Sequence, residues 1–211
     1  MRVALLFDLF GVLMHKQSRA DQHELAALAG IEPEIFTKAY WACRSEYDRG
    51  CPASNYWAAV ARRLDTRWDE ARIARLTEAD NDSWSRVDDE MLELVRERHR
   101  QGIPCYLLSN IPRPLCRRLE AQQSWLGVLF ERTFYSCDLG TAKPAAEAFA
   151  RPIATIRREY PHRTIAFIDD NPDNIAAARA QGIAVHRFFD TGRLRRWLKS
   201  NWNSDRAVSD E

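Results

Sequence analysis

The sequence predicts an α/β protein built on a doubly wound parallel sheet, with a helical insertion after the first strand. Residues 3–7 form a short, unbroken apolar run that is typical of a strand buried on both faces. From residue 88 onward, strand patterns alternate with helix patterns, as they do around parallel sheets. Between these regions, residues 15–84 show helical patterns without strand character.

Length and composition fit a soluble globular protein with one large domain or a domain carrying an insertion. The chain has 211 residues, of which 45% are apolar and 29% charged, and its net charge is +1. We therefore expect neither a nucleic-acid partner nor membrane association. Without a secretory signal or long apolar stretch, the sequence favours a cytoplasmic protein. The five scattered cysteines favour reduced thiols over a zinc site or disulfide framework.

The insertion is predicted to contain four helices. They cover residues 20–29, 33–48, 54–64 and 69–84. Pro33 in the first turn and Gly50 beyond the last turn mark the second helix most clearly. We accordingly assign residues 1–14 and 88–200 to the core, residues 15–87 to a helical cap, and residues 201–211 to a polar tail.

The remaining elements of the core follow the same alternation. Further strands are predicted at residues 104–108, 132–136, 164–168 and 183–186. Helices are predicted at residues 89–100, 114–122, 145–159, 173–181 and 193–199. Pro152 lies inside the third of these helices, where it is expected to kink the helix or break it in two.

Polar side chains follow the ends of four predicted strands. The first strand ends in Asp8, the second in Ser109 and Asn110, and the fourth in Asp169 and Asp170. Lys143 follows the third strand. A parallel sheet brings these ends to one edge, where three carboxylates repel one another unless a cation is present. Oxygen ligands with few histidines favour Mg²⁺ at such a site.

Each of these residues also has an ordinary structural role open to it. Asp8 and the 109–110 pair can be turn residues. The acidic pair at 169–170 precedes Asn171 and Pro172, a common helix start. Lys143 can be a solvated surface lysine. The recurrence of such residues at four strand ends, in this order, favours a shared site.

Four segments together resemble the motifs of the haloacid dehalogenase-like (HAD) hydrolase superfamily. They read FDLFGVL, LLSN, GTAKPAAEAF and FIDDNPDNIAAARAQGI. The resemblance covers essentially the whole chain and implies a Rossmann-like core, with residues 15–84 as the helical cap. Residues 46–50, EYDRG, also resemble the cap turn of small sugar-phosphate phosphatases. Tyr47 and Arg49 are therefore candidate substrate contacts, with a solvated turn as the alternative.

The resemblance implies a catalytic role for three of the motif residues. Asp8 would be the nucleophile and form an aspartyl-phosphate that water then hydrolyses. Ser109 would donate a hydrogen bond to the phosphoryl oxygens. Lys143 would offset the negative charge of the phosphate and the nucleophile. Phosphate binding would also involve Gly11 and Asn110.

The resemblance also implies a magnesium site. Asp8 and Asp170 would bind the ion directly, Asp169 through water, and Phe10 through its backbone carbonyl. Position 10 is nevertheless a departure, because phosphatases of the family usually carry there an aspartate that protonates the leaving group. Phenylalanine has no proton to donate, and general acid catalysis is worth about 10²–10⁴-fold.

Three interpretations of Phe10 remain open. In the first, the protein is a phosphatase for substrates with good leaving groups, such as sugar-1-phosphates or acyl phosphates. In the second, it is a dehalogenase. In the third, it is a binding or regulatory protein with weakened activity. Dehalogenases of the superfamily are metal-free, and their fourth motif reads similarly to S-S-N. They also use an arginine soon after the first motif, and Arg19 of this chain does not clearly match that arginine. The pair Asp169 and Asp170 favours a Mg²⁺-dependent phosphatase of a small phosphorylated metabolite, acting as a monomer or homodimer.

Overall fold

A five-stranded parallel sheet forms the centre of the structure, a computed structural model that describes residues 2–202. Its strands are β1 (Val3–Phe7), β2 (Cys105–Ser109), β3 (Arg132–Tyr135), β4 (Thr164–Asp169) and β5 (Ala184–Arg187). They are ordered β3-β2-β1-β4-β5, and every neighbouring pair is parallel. The predicted α/β class is confirmed.

Strand β1 occupies the middle of the sheet because all five of its side chains are apolar and buried. Successive side chains point to opposite faces, so each face has its own apolar cluster. Leu5 and Phe7 belong to one cluster, and Ala4 and Leu6 belong to the other. Phe7 is paired with Leu107 on one side and with Ile168 on the other. This register aligns the carboxyl ends of β1, β2 and β4.

Four helices form the insertion between β1 and residue 88, as predicted. They are α1 (Arg19–Ala29), α2 (Pro33–Asp48), α3 (Ala53–Arg63) and α4 (Glu70–Ser83). A capping box between Ser18 and Asp21 starts α1, and Gly30 ends it in the left-handed conformation. The four helices bury a separate apolar cluster that includes Tyr40, Trp57 and Leu76. We call these helices the cap.

Seven further helices complete the described residues. They are α5 (Asp89–Arg100), α6 (Arg113–Gln122), α7 (Trp125–Leu129), α8 (Ser136–Leu139), α9 (Ala146–Glu159), α10 (Pro172–Ala180) and α11 (Thr191–Asn201). The short helices α7 and α8 were not predicted. Of the two outcomes predicted at Pro152, a kink or a break, the break is wrong, because α9 is continuous. The missing N–H of Pro152 forfeits one hydrogen bond, while Phe149, Ile153 and Ile156 hold the helix against the sheet.

The cap is joined to the core by two neighbouring crossings of the chain. His15 N donates to Arg86 O at 2.8 Å, and Asp88 N donates to Leu13 O at 2.9 Å. Met14 and Val87 form an antiparallel bridge between these bonds. The domain boundaries at residues 14–15 and 87–88 stay a prediction.

Two further expectations concern the chain as a whole. Among residues 2–202, no helix has the length and apolar character needed to cross a membrane. The cysteines are free thiols. Most of the predicted polar tail, residues 203–211, lies outside the described residues.

Candidate active site

Lys143 joins two carboxylates at the carboxyl edge of the sheet. Its Nζ atom lies 2.8 Å from Asp8 Oδ1 and 2.7 Å from Asp169 Oδ2. Asp8 directly follows β1 and Asp169 is the last residue of β4, so the pairing of these two strands places the carboxylates side by side. Only 1% of the Lys143 side chain is exposed. Lys143 therefore holds Asp8 and Asp169 together, and all three are predicted site residues.

The protonation of this trio is strongly perturbed by burial. Burial raises the pKa of Asp8, the charge of Asp169 raises it further, and Lys143 only partly offsets both, so that the pKa reaches about 7. Burial lowers the pKa of Lys143, but the charges of Asp8 and Asp169 outweigh it and raise that pKa above its ordinary value. The single ammonium of Lys143 does not neutralise the two carboxylates of Asp8 and Asp169.

Asp169 is fully buried and accepts three hydrogen bonds from protein donors. Its Oδ2 accepts hydrogen bonds from Lys143 Nζ at 2.7 Å and from Asn174 Nδ2 at 2.9 Å. Its Oδ1 accepts one from the backbone N–H of Asn171 at 2.8 Å. Asn174 belongs to the fourth sequence motif, which gave it no role; it is the third residue of α10 and lies five residues after Asp169. These bonds make Asp169 the fixed anchor of Lys143.

Asp170 lies at the open side of the same group and contacts Lys16. The ammonium of Lys16 forms an ion pair with Asp170 Oδ2, and 54% of the Lys16 side chain is exposed. Gly11 fits closely beside this pair, because a Cβ atom there would lie 2.9 Å from Asp170 Cγ and 2.6 Å from Lys16 Cε. Gly11 also has a positive φ of 86°. No other residue type fits this turn without strain.

The arrangement of the carboxylates fits a divalent cation. One oxygen each from Asp8, Asp169 and Asp170 lies within 4.8 Å of the others. Oxygen-only donors of this kind suit Mg²⁺, which takes carboxylates together with water. The ammonium of Lys16 already pairs with Asp170 at this position, as expected where carboxylates are concentrated.

Ser109 ends β2 and Asn110 follows it, as predicted, but the two residues contribute differently. The Asn110 side chain donates to Lys143 O at 2.7 Å and accepts from Lys143 N at 2.9 Å. It therefore fixes the backbone that carries the buried ammonium. Ser109 is completely buried, and its hydroxyl lies 3.5 Å from Asn110 O.

A cavity of about 200 Å³ lies over these groups, between the core and the cap. Its core side is formed by Asp8, Lys143, Asn110 and Asp170. Three aromatic side chains also line it: Phe10, Trp41 and Trp84. The ring of Phe10 meets that of Trp84 edge-on with centroids 5.1 Å apart, and Trp41 lies 6.1 Å from Trp84. The cavity thus combines a charged end with an aromatic wall.

The cap contributes a charged network to the cavity that sequence reasoning missed. Arg44 donates from Nε to Asp48 Oδ1 at 2.9 Å and from Nη1 to Asp80 Oδ2 at 3.1 Å. Tyr40 donates to Asp80 Oδ1 at 2.6 Å. Arg44 and Asp48 both line the cavity. The available signal was their spacing of four residues on α2, which puts them on one helix face.

The structure does not bring Tyr47 and Arg49 to the cavity. Tyr47 is completely buried and stacks on Tyr56, with ring centroids 4.1 Å apart. Arg49 forms an ion pair with Glu46 at the surface of the cap. Within the EYDRG segment it is Asp48 that lines the cavity.

Comparison with known proteins identifies relatives of this chain. Residues 3–182 match the family model of haloacid dehalogenase-like hydrolases. A 107-residue segment, 50% of the chain, is 33% identical to the sesquiterpene phosphatase astK of Aspergillus oryzae (strain ATCC 42149 / RIB 40). That match spans 53% of the relative, so the chain matches about half its length.

Solved structures of low sequence identity share the fold. A HAD-family enzyme of Bacteroides thetaiotaomicron, in complex with magnesium and inorganic phosphate, is 20% identical with a TM-score of 0.71, over 92% of this chain and 99% of that one. The L-2-haloacid dehalogenase of Xanthobacter autotrophicus, with chloropropionic acid covalently bound, is 19% identical with a TM-score of 0.65, over 96% and 84%. The family model spans most of the chain and the fold agrees with it, so the chain belongs to the haloacid dehalogenase-like hydrolases.

Proposed function

We propose that this protein is a Mg²⁺-dependent phosphatase that hydrolyses the monophosphate ester of a small organic molecule through Asp8. The observation that carries the proposal is the placement of Lys143 between Asp8 and Asp169, with Asp170 beside them at the same cavity. An anionic carboxylate must approach an anionic phosphate in such a reaction. Concentrated positive charge at the point of attack is what makes that approach possible.

The residues that would hold magnesium are Asp8, Asp170 and the backbone carbonyl of Phe10. When bound there, the ion supplies Lewis-acid charge that offsets the phosphate oxygens. Asp169, which offers the third oxygen of this group, would bind the ion through water, and its oxygens also accept three hydrogen bonds from protein donors. We therefore assign Asp169 to the positioning of Lys143.

Asp8 would act as the nucleophile in two steps. Its carboxylate attacks phosphorus, the bond between phosphorus and the leaving oxygen breaks, and an aspartyl-phosphate remains. Water then attacks that phosphorus and regenerates the carboxylate. Lys143 and the N–H of Leu9 hold Asp8 Oδ1 at 2.8 and 2.7 Å, which leaves Oδ2 as the attacking oxygen. Ser109 and Gly11 remain our candidates for contacts with the phosphoryl group.

The chemistry of the cavity and the relatives both support a phosphorylated substrate with an apolar part. Phe10, Trp41 and Trp84 give the cavity an aromatic wall that suits an apolar organic group. A phosphatase of a sesquiterpene is among the relatives, and a HAD-family enzyme of the same fold binds magnesium and phosphate. We propose a small-molecule phosphate as the substrate, with no nucleic-acid or membrane partner, for a cytoplasmic monomer or homodimer.

A haloacid dehalogenase is the second candidate, because Phe10 supplies no acid and halide needs none. The fold is also that of the L-2-haloacid dehalogenase of Xanthobacter autotrophicus. Against this stands the negative charge of Asp169 and Asp170 around Asp8, which without a cation weakens Asp8 as a nucleophile. The charge balance of the site therefore favours the metal-dependent reaction.

Release of phosphate from p-nitrophenyl phosphate tests the proposal, since this leaving group hardly needs a proton. We expect turnover that requires Mg²⁺ and is abolished by Asp8→Asn. Equal rates for the wild-type protein and Asp8→Asn would contradict a catalytic role and favour a binding or regulatory protein. Chloride release from 2-chloropropionate in the presence of a chelator would favour the dehalogenase.

A further inference from the structure

Asp48 is the one carboxyl at the cavity that the proposed reaction leaves without a role. The ionisable residues that line the cavity are Asp8, Lys16, Arg44, Asp48, Lys143 and Asp170. Asp8 is the nucleophile, Asp170 a candidate metal ligand, and Lys143 is held between two carboxylates. Lys16 is paired with Asp170, and an arginine does not release its proton. A proton donor for the leaving group is therefore left to the cap.

We propose that Asp48 protonates the leaving group, in place of the aspartate that Phe10 has replaced. This inference rests on the proposed phosphatase function. Asp48 belongs to the cap and borders the same cavity as Asp8 and Lys143. Its Oδ1 accepts from Arg44, whereas Oδ2 accepts no hydrogen bond from residues 2–202. That oxygen is available to carry a proton.

The charges around Asp48 favour its protonated form. A single guanidinium, Arg44, serves both Asp48 and Asp80, so two ionised carboxylates leave one net negative charge. Asp80 is fully buried and also accepts a hydrogen bond from Tyr40, which makes it the better compensated of the two. Burial raises the pKa of Asp48, and Arg44 offsets this only in part. Arg49, the residue directly after α2, lowers the same pKa by the smallest of these effects.

The position of Asp48 is fixed from the core. The hydroxyl of Ser136, at the start of α8, donates to the backbone oxygen of Asp48 and also accepts from Ile111 N at 2.8 Å. Gly50 packs on the same helix: a Cβ atom at Gly50 would lie 2.9 Å from Cys137 O. The end of α2 is thus held against the core beside the cavity. A proton donor needs such a defined position.

As the bond between phosphorus and the leaving oxygen breaks, the proton of Asp48 moves to that oxygen, and a neutral alcohol departs. Asp48 is then a carboxylate beside Arg44. When water attacks the aspartyl-phosphate, Asp48 takes up the proton that the water loses. One residue therefore serves as acid in the first step and as base in the second.

The test compares Asp48→Asn with the wild-type protein on two phosphates that differ in leaving group. 2-Phenylethyl phosphate releases an alkoxide, which is a poor leaving group, and for this substrate we expect kcat/KM to fall about 10²-fold or more. For p-nitrophenyl phosphate we expect a fall at least about ten times smaller, because that leaving group depends little on an acid. Equal losses on both substrates would overturn the role. Glu46→Gln, an exposed carboxyl of the same helix, is the matched control and should change neither rate.

A second measurement separates proton donation from a purely structural role. Phe10→Asp introduced into Asp48→Asn should restore much of the lost activity on 2-phenylethyl phosphate, and no rescue would count against the proposal. Wild-type protein that hydrolyses the aryl phosphate but not the alkyl phosphate would overturn the role of Asp48 and leave the phosphatase standing. Absence of Mg²⁺-dependent turnover on either substrate would instead overturn the proposed function.

Discussion

The Nζ atom of Lys143 lies 2.8 Å from Asp8 Oδ1, and neither side chain is more than 10% exposed. The same ammonium compensates Asp169, whose side chain is completely buried. Removing the ammonium would leave two buried carboxylates without their partner. Such a loss costs about 3–5 kcal/mol in proteins.

Lys143→Met should therefore lower the free energy of unfolding by about 3–5 kcal/mol at neutral pH, besides abolishing turnover. Urea denaturation measures the change. Lys38→Met, which replaces an exposed lysine on the cap, should stay within about 0.5 kcal/mol of the wild-type protein. Adding Asp169→Asn to Lys143→Met should recover part of the loss. A Lys143→Met protein as stable as the control would mean that the trio is not electrostatically coupled.

Lys16→Gln should tighten magnesium binding. Lys16 is mostly exposed, and its ammonium occupies the carboxylate of Asp170 that we assign to the metal. Because an exposed ion pair is worth up to about 1 kcal/mol, we expect a Kd roughly two- to five-fold lower in the variant. Isothermal titration calorimetry with MgCl₂ measures this directly, with Lys38→Gln as the control. A Kd that is unchanged or higher would show that Lys16 does not compete with the ion.

Phe10→Asp should raise activity on alkyl phosphates more than on aryl phosphates, since it adds a carboxylic acid next to the nucleophile. The gain should be smaller in the wild-type background than in Asp48→Asn, because one donor already serves the leaving group. Loss of the contact between Phe10 and Trp84 limits the benefit in both. Steady-state kinetics on p-nitrophenyl and 2-phenylethyl phosphate give the comparison. Equal gains on the two substrates would show that the proton is not limiting.

Arg86→Ala should destabilise the protein in a pH-dependent manner. Hydrogen bonds from Arg86 lower the pKa of Asp21 to about 2, so their contribution is complete above the ordinary aspartate pKa near 3.8 and disappears as the pH falls through 2. Because the pair is partly exposed, we expect a loss of at most about 1 kcal/mol at pH 7. Urea denaturation at several pH values should show the variant and wild-type curves converging towards pH 2. A constant difference would mean that the ion pair is not its source.

Much of the core could be predicted because its signals are local. The bounds of β1, α2 and α5 agree with the prediction to the residue, since an unbroken apolar run, a first-turn proline and acidic caps mark them. In a parallel sheet the carboxyl ends of the strands lie at one edge, and this brings Asp8, Lys143 and Asp169 together. Helices α7 and α8 have five and four residues, too few to show a helical period.

The cap residues that line the cavity could not be predicted from such local signals. Successive residues of a helix point about 100° apart, so the choice between Tyr47 and Asp48 depends on how α2 is rotated against the core. Tyr47 packs into the cap, whereas Asp48 and Arg44 share the face at the cavity. That rotation is set by tertiary contacts such as those of Ser136 and Gly50. It cannot be predicted from the EYDRG segment alone.

The two neighbouring crossings between core and cap have a consequence for how a substrate enters. Main-chain bonds at His15 and Asp88 clamp both crossings together, so they constitute a single pivot rather than two independent tethers. A swing of the cap about this pivot would break the hydrogen bond from Ser136 to the backbone oxygen of Asp48 and would move Arg44, Asp48 and Trp41 together away from the sheet. Since Asp8 and Asp48 line one cavity in the arrangement seen here, we expect bond breaking to require this closed position of the cap, in which the phosphate is sheltered from bulk water.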